Sequence, residues 1–210
     1  MKLYEYFRSS ASYRLRIALN LKRLPHESVH IHLLRNGGEQ HDPSYIAINP
    51  QGRVPTLALD DGTILIQSPA ILEWLEETYP EPPLLPRSAR ARAHVRAMAA
   101  LIACDIHPLN NSSVLAYLKN TLSQPQEAVD AWYAHWIKLG FAALEQMVST
   151  PYCRGNEVTL ADVMLVPQVA NARRMKVDLE SFPRIVAIEQ NCLALPAFAD
   201  ARPEVHPAAG

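Results

Sequence analysis

Apolar and polar positions along the chain follow two different periods, one in each part. Residues 2 to 6 alternate charged and apolar side chains, and residues 27 to 33 carry a short β-capable run around Val29 and Ile31. Between them Leu15, Ala18, Leu19 and Leu21 recur near helical spacing, which predicts a crossover helix over 12–23 and one βαβ unit. Thr56 to Leu59 and Thr63 to Ile66 then flank Asp60-Asp61-Gly62, a hairpin signal because glycine takes positive φ without steric cost. Ser68 stands before Pro69, with Ile71, Leu72, Trp74 and Leu75 following. This reads as an N-cap, a proline at the first helical position and an apolar stripe.

The pattern breaks at Tyr79-Pro-Glu-Pro-Pro-Leu-Leu-Pro86, where four prolines in eight residues cannot continue a helix and make a stiff connector. From Arg87 onward no strand pair is legible, and helical periods run over roughly 88–106, 126–148, 159–175 and 182–194. The expectation is an α/β domain over 1–80 followed by an all-α bundle over 87–210. Thr159-Leu-Ala-Asp162 has the form of a capping box and is read as a structural start signal.

Composition narrows the function classes. With 210 residues, 49% hydrophobic and 20% charged, the chain is globular rather than disordered. A formal net charge of −1 gives no electrostatic reason to expect nucleic acid. Met-Lys-Leu-Tyr-Glu-Tyr-Phe-Arg lacks the apolar core of a secretory signal, and charges or prolines interrupt every apolar run short of a membrane span. A cytoplasmic protein without a membrane partner is expected. Cys104, Cys153 and Cys192 are odd in number and far apart, with no zinc-ligand spacing, so neither a disulfide framework nor a metal is expected.

A βαβ unit, a hairpin and a closing helix, with Val54-Pro55 directly before the hairpin, is the arrangement of a thioredoxin-like domain. Proline at that junction suggests a cis peptide, which would leave the Val54 backbone open to pair with an extended peptide. A trans proline that merely starts a strand is the plainer alternative.

Several blocks carry a resemblance over nearly the whole chain. They are Ser9-Ser-Ala-Ser-Tyr-Arg-Leu-Arg-Ile-Ala-Leu19, Asn49-Pro50 with Val54-Pro-Thr-Leu57, Gln67-Ser68, and Leu165-Val-Pro-Gln-Val-Ala-Asn-Ala172. In these the chain resembles the zeta class of glutathione transferases. The class pattern Ser-Ser-Cys-Ser-Trp-Arg is altered here at Ala11 and Tyr13, which removes the only thiol from the loop. Thiol–disulfide exchange needs a low-pKa cysteine at this helix start. The reacting sulfur must then be borrowed, and the resemblance implies glutathione.

At the start of the first helix, the Ser9 hydroxyl and nearby N–H groups, with Ser10 and Ala11, could stabilise a glutathione thiolate, aided by the helix dipole. A plain helix cap is the competing role for Ser9 or Ser10. The resemblance implies that Gln67 and Ser68 hold the γ-glutamyl end at a helix amino terminus, Val54 pairs with the cysteinyl backbone, and Gln40 meets the glycyl end. It also implies cofactor contacts from Asn111 and Ser113, and from His107, where the class usually has Gln. Ser68 as an N-cap and His107 as a capping or surface group are the structural alternatives.

The implied reaction is cis–trans isomerisation of maleylpyruvate or maleylacetoacetate by reversible thiolate addition. A substrate with two anionic ends needs cations, so Arg8 beside Ser9 and Arg174 are the candidate clamps. Arg173, where the family commonly has an acid, would make the mouth more cationic; a plain surface arginine is the competing reading for all three and the one preferred for Arg173. The preferred substrate is maleylpyruvate. A conjugating transferase and a non-catalytic module of the same fold stay open, and the resemblance further implies a two-fold homodimer, one subunit's first domain against the other's helical domain.

Overall fold

The structure is a computed structural model, and it describes residues 1–209. The chain divides into two compact units, Met1–Pro83 joined by the chain from Leu195 onward, and Leu84–Ala194.

The first unit holds β1 (Lys2–Glu5), α1 (Ser10–Leu21), β2 (Glu27–His30), α2 (Pro43–Ile46), β3 (Thr56–Ala58), β4 (Ile64–Ile66) and α3 (Ser68–Thr78). The sheet order is β2-β1-β3-β4. β1 runs parallel to β2, with Leu3 opposite Ser28, and antiparallel to β3, with Leu3 opposite Leu57. β3 and β4 form the hairpin expected from Asp61-Gly62, with Gly62 at φ 88°. This is the thioredoxin-like arrangement.

Leu3, Leu15, Leu19, Leu57, Leu72 and Leu75 are wholly buried, which places the core between the sheet, α1 and α3. The buried ammonium of Lys22, just past α1, donates to Glu76 Oε2 at 2.9 Å, Tyr79 O at 2.6 Å and Pro82 O at 3.1 Å. One cation thus ties the end of α1 to the end of α3 and to the proline-rich connector.

The end of the chain departs from the expected boundaries. The sequence reading placed everything after Arg87 in the helical region, whereas the segment from Leu195 packs on the first unit. Tyr13 Oη donates to Phe198 O, Asn20 Nδ2 to Ala197 O, and Arg16 Nε to Ala201 O, while the Phe198 ring is fully buried. Local spacing predicts a helix but not which core receives it.

The second unit contains α4 (Ala89–Ala100), α5 (Ser112–Ala116), α6 (Gln126–Met147), α7 (Leu160–Arg174) and α8 (Pro183–Leu193). Beyond its last regular turn α4 continues as a wider π turn over Leu101–Ile106. α7 is buried on nearly every face, as expected of a helix at the centre of a bundle. Its start matches the capping-box reading in one respect: Asp162 reaches back to accept from the Thr159 backbone N–H at 2.7 Å and the Thr159 hydroxyl at 2.9 Å. Among the described residues no helix is long and apolar enough to cross a membrane, and no group of three or more His, Cys, Asp or Glu is placed to hold a metal.

Candidate active site

Ser9 is the N-cap of α1. Its Oγ accepts from the Ser12 N–H at 3.2 Å, and its own N–H donates to Tyr6 O at 2.9 Å. Capping uses a lone pair and leaves the hydroxyl hydrogen to donate, so the cap and an activating role are compatible. Ser10 and Ala11 follow in the first turn, nearly buried, and Ser12 Oγ accepts from the Tyr6 N–H at 3.4 Å. The preceding residues are fixed from behind: Arg16 Nη2 donates to Phe7 O at 3.1 Å. Arg8 is exposed, with its guanidinium 5.1 Å from the centre of the Phe7 ring.

Val54 precedes β3, and the Val54–Pro55 peptide is cis. The turn is held by buried polar groups that sequence reasoning did not single out as a network. Tyr45 Oη donates to Arg53 O at 2.7 Å, and Asn49 Nδ2 donates to the same oxygen at 2.8 Å and to Thr56 Oγ1 at 3.0 Å. Burial raises the Tyr45 hydroxyl above its ordinary value, with the Thr56 and Asn49 hydrogen bonds opposing, so it stays a neutral donor.

Gln40 lies in the loop between β2 and α2, where its Nε2 donates to Leu33 O at 3.5 Å and its Oε1 is buried without a partner. Gly38, at φ 106°, allows this: a Cβ there would collide with the Gln40 amide.

Gln67 and Ser68 differ from the expected cap. Gln67 is the N-cap of α3, at φ 69°, a left-handed conformation that costs a non-glycine residue ~1 kcal/mol or more. Its Nε2 donates to Gln51 Oε1 at 2.6 Å. Ser68 is the first helical residue instead of the cap, and its buried Oγ accepts from Arg14 Nη1 at 3.2 Å. With Pro69 in the second helical position and the turn at Gln67 already left-handed, the hydroxyl is directed to Arg14 and not to its own helix.

The other predicted residues lie in the second unit. His107 follows the π turn, half-buried, with its N–H on Ile102 O at 2.9 Å. Asn111 is the N-cap of α5: its Oδ1 accepts from the Ser113 N–H at 3.0 Å and from Ser113 Oγ at 2.8 Å. Asn111 and Ser113 therefore share a capping role. Arg174, in the last turn of α7, donates from Nη2 to Asn171 Oδ1 at 3.0 Å and also hydrogen-bonds the buried Tyr133 hydroxyl. A cavity of about 340 Å³ beside Tyr133, lined also by Leu115, Lys119 and Met175, includes none of the predicted site residues.

Arg173 corrects an expectation. Its guanidinium grips both oxygens of the nearly buried Glu189, with Nε at 2.9 Å from each. The added cation is matched by a carboxylate from α8, so it does not make the surroundings of α7's end more positive as expected.

The chain is similar to known proteins over its whole length. Residues 3–83 match the glutathione S-transferase N-terminal domain family. A maleylacetoacetate isomerase of Pseudomonas aeruginosa is 50% identical over 208 residues, covering 99% of this chain and 98% of that protein. A holo structure of a maleylpyruvate isomerase, a bacterial zeta-class glutathione transferase, superposes with TM-score 0.95 at 46% identity, covering 100% of both chains. The chain belongs to the zeta class of glutathione transferases. A maleylacetoacetate isomerase from Methylobacterium extorquens AM1, solved with glutathione and malonate bound, superposes with TM-score 0.94 at 39% identity over 100% of both chains.

Within this zeta-class chain the structure brings Ser9, Ser10 and Ala11 to one helix start and Gln67 and Ser68 to another, and Arg14 joins the two helices. Arg14 and Arg16 fall inside the predicted first helix, where the sequence weighs a structural ion pair for Arg16 evenly against a function, and Glu5 supplies that pair. Their burial, at 1% and 6% exposure, was the signal missed, since a charge spaced among Leu15, Ile17 and Ala18 must find a buried partner.

Proposed function

We propose that this zeta-class protein is a glutathione-dependent cis–trans isomerase of maleyl keto acids, with maleylpyruvate as the preferred substrate and maleylacetoacetate as the alternative. The observation that carries the reading is Ser9: a helix-capping hydroxyl with its proton free to donate, in a loop where Ala11 leaves no thiol. The residues present fit glutathione. Gln40 offers a buried oxygen without a partner, and α1 and α3 each begin with N–H groups that no helical carbonyl can take.

Ser9, with Ser10 and Ala11 in the first turn of α1, would face the cysteinyl sulfur, and the dipole of α1 favours negative charge there. Val54 would pair with the cysteinyl backbone, Gln40 would meet the glycyl end, and Gln67 and Ser68 the γ-glutamyl end. His107, Asn111 and Ser113 are proposed as further cofactor contacts; the cap uses both donors of Ser113, which leaves the Asn111 side-chain N–H groups to donate and the Ser113 hydroxyl oxygen to accept. When bound, glutathione supplies a sulfur nucleophile for reversible addition at the double bond. Arg8 is exposed beside Ser9 and suited to hold one carboxylate through its planar fork; Arg174 is proposed for the second anionic end.

Added positive charge at Arg173 would favour maleylpyruvate, but Glu189 matches that charge. The cysteine-free loop is the support that remains. We also propose a homodimer and a cytoplasmic location; the free state of all three cysteines supports a reducing compartment.

The test follows loss of the maleyl chromophore and appearance of the fumaryl isomer on both substrates, with and without glutathione. Turnover that requires glutathione yet leaves the thiol count unchanged supports isomerisation. Equal rates without glutathione would sink the mechanism, and stoichiometric thiol loss would make the protein a conjugating transferase. Failure to bind glutathione would leave a non-catalytic module, and a monomer by sedimentation would remove the dimer.

A further inference from the structure

Three cations of the first unit are buried on or just beyond α1. Arg16 has Glu5 and Lys22 has Glu76. Among the described residues Arg14, 1% exposed, meets no carboxylate: Nη1 donates to Ser68 Oγ at 3.2 Å, and Nε and Nη2 are buried without a partner. Burial lowers its guanidinium to about 10, which still leaves it charged at neutral pH. An unpaired charge in a folded interior is costly, and a bound anion nearby would offset that cost and complete it.

The geometry of Ser68 says where that completion lies. Its oxygen already accepts from Arg14, so the O–H is left to donate, and a neighbouring cation strengthens it as a donor. Ser68 opens α3, an eleven-residue helix whose first N–H groups have no helical acceptor and whose second residue, Pro69, has no N–H at all. The Ser68 hydroxyl is thus placed to offer the helix start a donor that Pro69 cannot provide.

We propose that Arg14 is a positioning residue that supplies buried positive charge behind the start of α3, and that through Ser68 it selects a ligand with a carboxylate at that point. Under the reading above, on which this rests, the carboxylate is the α-carboxylate of the γ-glutamyl group. Arg14 does not touch the ligand. It fixes the direction of the Ser68 hydroxyl and raises the affinity for an anion there.

The test is calorimetric and needs no turnover. Wild type, Arg14→Met and Arg14→Lys are titrated with glutathione and with γ-aminobutyryl-cysteinyl-glycine, which is glutathione without that carboxylate. Wild type is expected to prefer glutathione by about ten-fold or more, the scale of one charge-assisted hydrogen bond. In Arg14→Met the preference falls to about two-fold or less while the analogue binds as before, and Arg14→Lys recovers part of it. Should Arg14→Met not fold, Arg14→Gln, which keeps donors without charge, is read in the same way. Equal weakening of both ligands would make Arg14 merely structural, and no preference in wild type would overturn the proposal outright. If wild type binds neither ligand, the glutathione reading falls and this proposal with it; a variant that keeps the full preference removes Arg14 alone.

Discussion

Arg16 and Glu5 form a buried ion pair that also carries the loop before Ser9. Both side chains are less than a tenth exposed, and the same guanidinium holds Phe7 O at 3.1 Å and Ala201 O at 2.8 Å. Glu5 accepts in addition from Ser28 Oγ at 2.6 Å and contacts His206 Nε2 at 3.1 Å. Removing one partner strands the other charge, at ~3–5 kcal/mol. Arg16→Met is expected to lose that much stability by urea unfolding, and its glutathione affinity should fall in step with the loosened loop.

The same pair predicts an acid limit. Burial pushes the Glu5 carboxyl up, but the Arg16 charge and the hydrogen bonds from Ser28, Arg16 and His206 outweigh it, so the carboxyl titrates below its ordinary value. A carboxylate depressed in the folded state contributes stability that is complete above the unfolded value of ~4.3 and is lost as pH falls through the folded value. The urea midpoint should therefore gain nothing from this group on raising pH above about 5, and Glu5's share should be lost below about 4. In Glu5→Gln that acid-dependent part should be missing; an identical acid profile in wild type and variant would contradict the assignment.

What could be read from the sequence follows from the range of the interactions. The βαβ unit, the hairpin at Asp61-Gly62, the proline connector and the helices at 126–147 and 160–174 are set by neighbours a few residues apart, and the pattern shows them. Thr159 and Asp162 are legible for the same reason. Arg14 with Ser68, Arg173 with Glu189 and Arg16 with Ala201 join residues brought together only by packing, so the chain shows the charges without their partners. Gln67 is the opposite case. Local rules favour Ser68 as the cap, yet the chain places Gln67 at φ 69° and turns the serine toward Arg14, a local rule broken at a site residue.

Arg173 and Arg8 should separate cleanly in kinetics. Arg173 is engaged by Glu189, whereas Arg8 is exposed beside the capping serine. Arg173→Ala is expected to leave kcat/KM for the maleyl substrate within about two-fold. Because the change leaves the nearly buried Glu189 carboxylate without its partner, its stability cost should be ~1–3 kcal/mol in urea unfolding. Arg8→Ala is expected to lower kcat/KM by about ten-fold or more, as for loss of a charged substrate contact. Comparable losses in both would return Arg173 to the substrate site.

Asp162 should be among the least replaceable carboxylates for stability. It is fully buried and accepts from the Thr159 N–H, the Thr159 hydroxyl and the Cys153 N–H at 2.7 Å. Asp162→Ala leaves three buried donors without an acceptor, at ~1–3 kcal/mol for each fully desolvated group, with the total reduced by local relaxation. A loss of ~3 kcal/mol or more in urea unfolding is expected, with Asp162→Asn falling between because its amide oxygen can still accept. Glutathione affinity per folded molecule should be unchanged in both.

Gly140 gives a purely steric prediction. It lies in α6 where a Cβ would collide with the Ile106 side chain at the end of the π turn. Ala in place of glycine ordinarily favours a helix by up to ~1 kcal/mol. Here overpacking against a fully buried isoleucine should reverse the sign, with a net loss of ~1–3 kcal/mol for Gly140→Ala. Ile106→Ala alone removes both carbons the new methyl would meet, Cγ1 and Cδ1, and should cost ~2–5 kcal/mol. The double variant should lose less than the sum of the two, because the shortened side chain gives room to the new methyl. Simple additivity of the two losses in a double-mutant cycle would show that Gly140 and Ile106 are not in contact in solution.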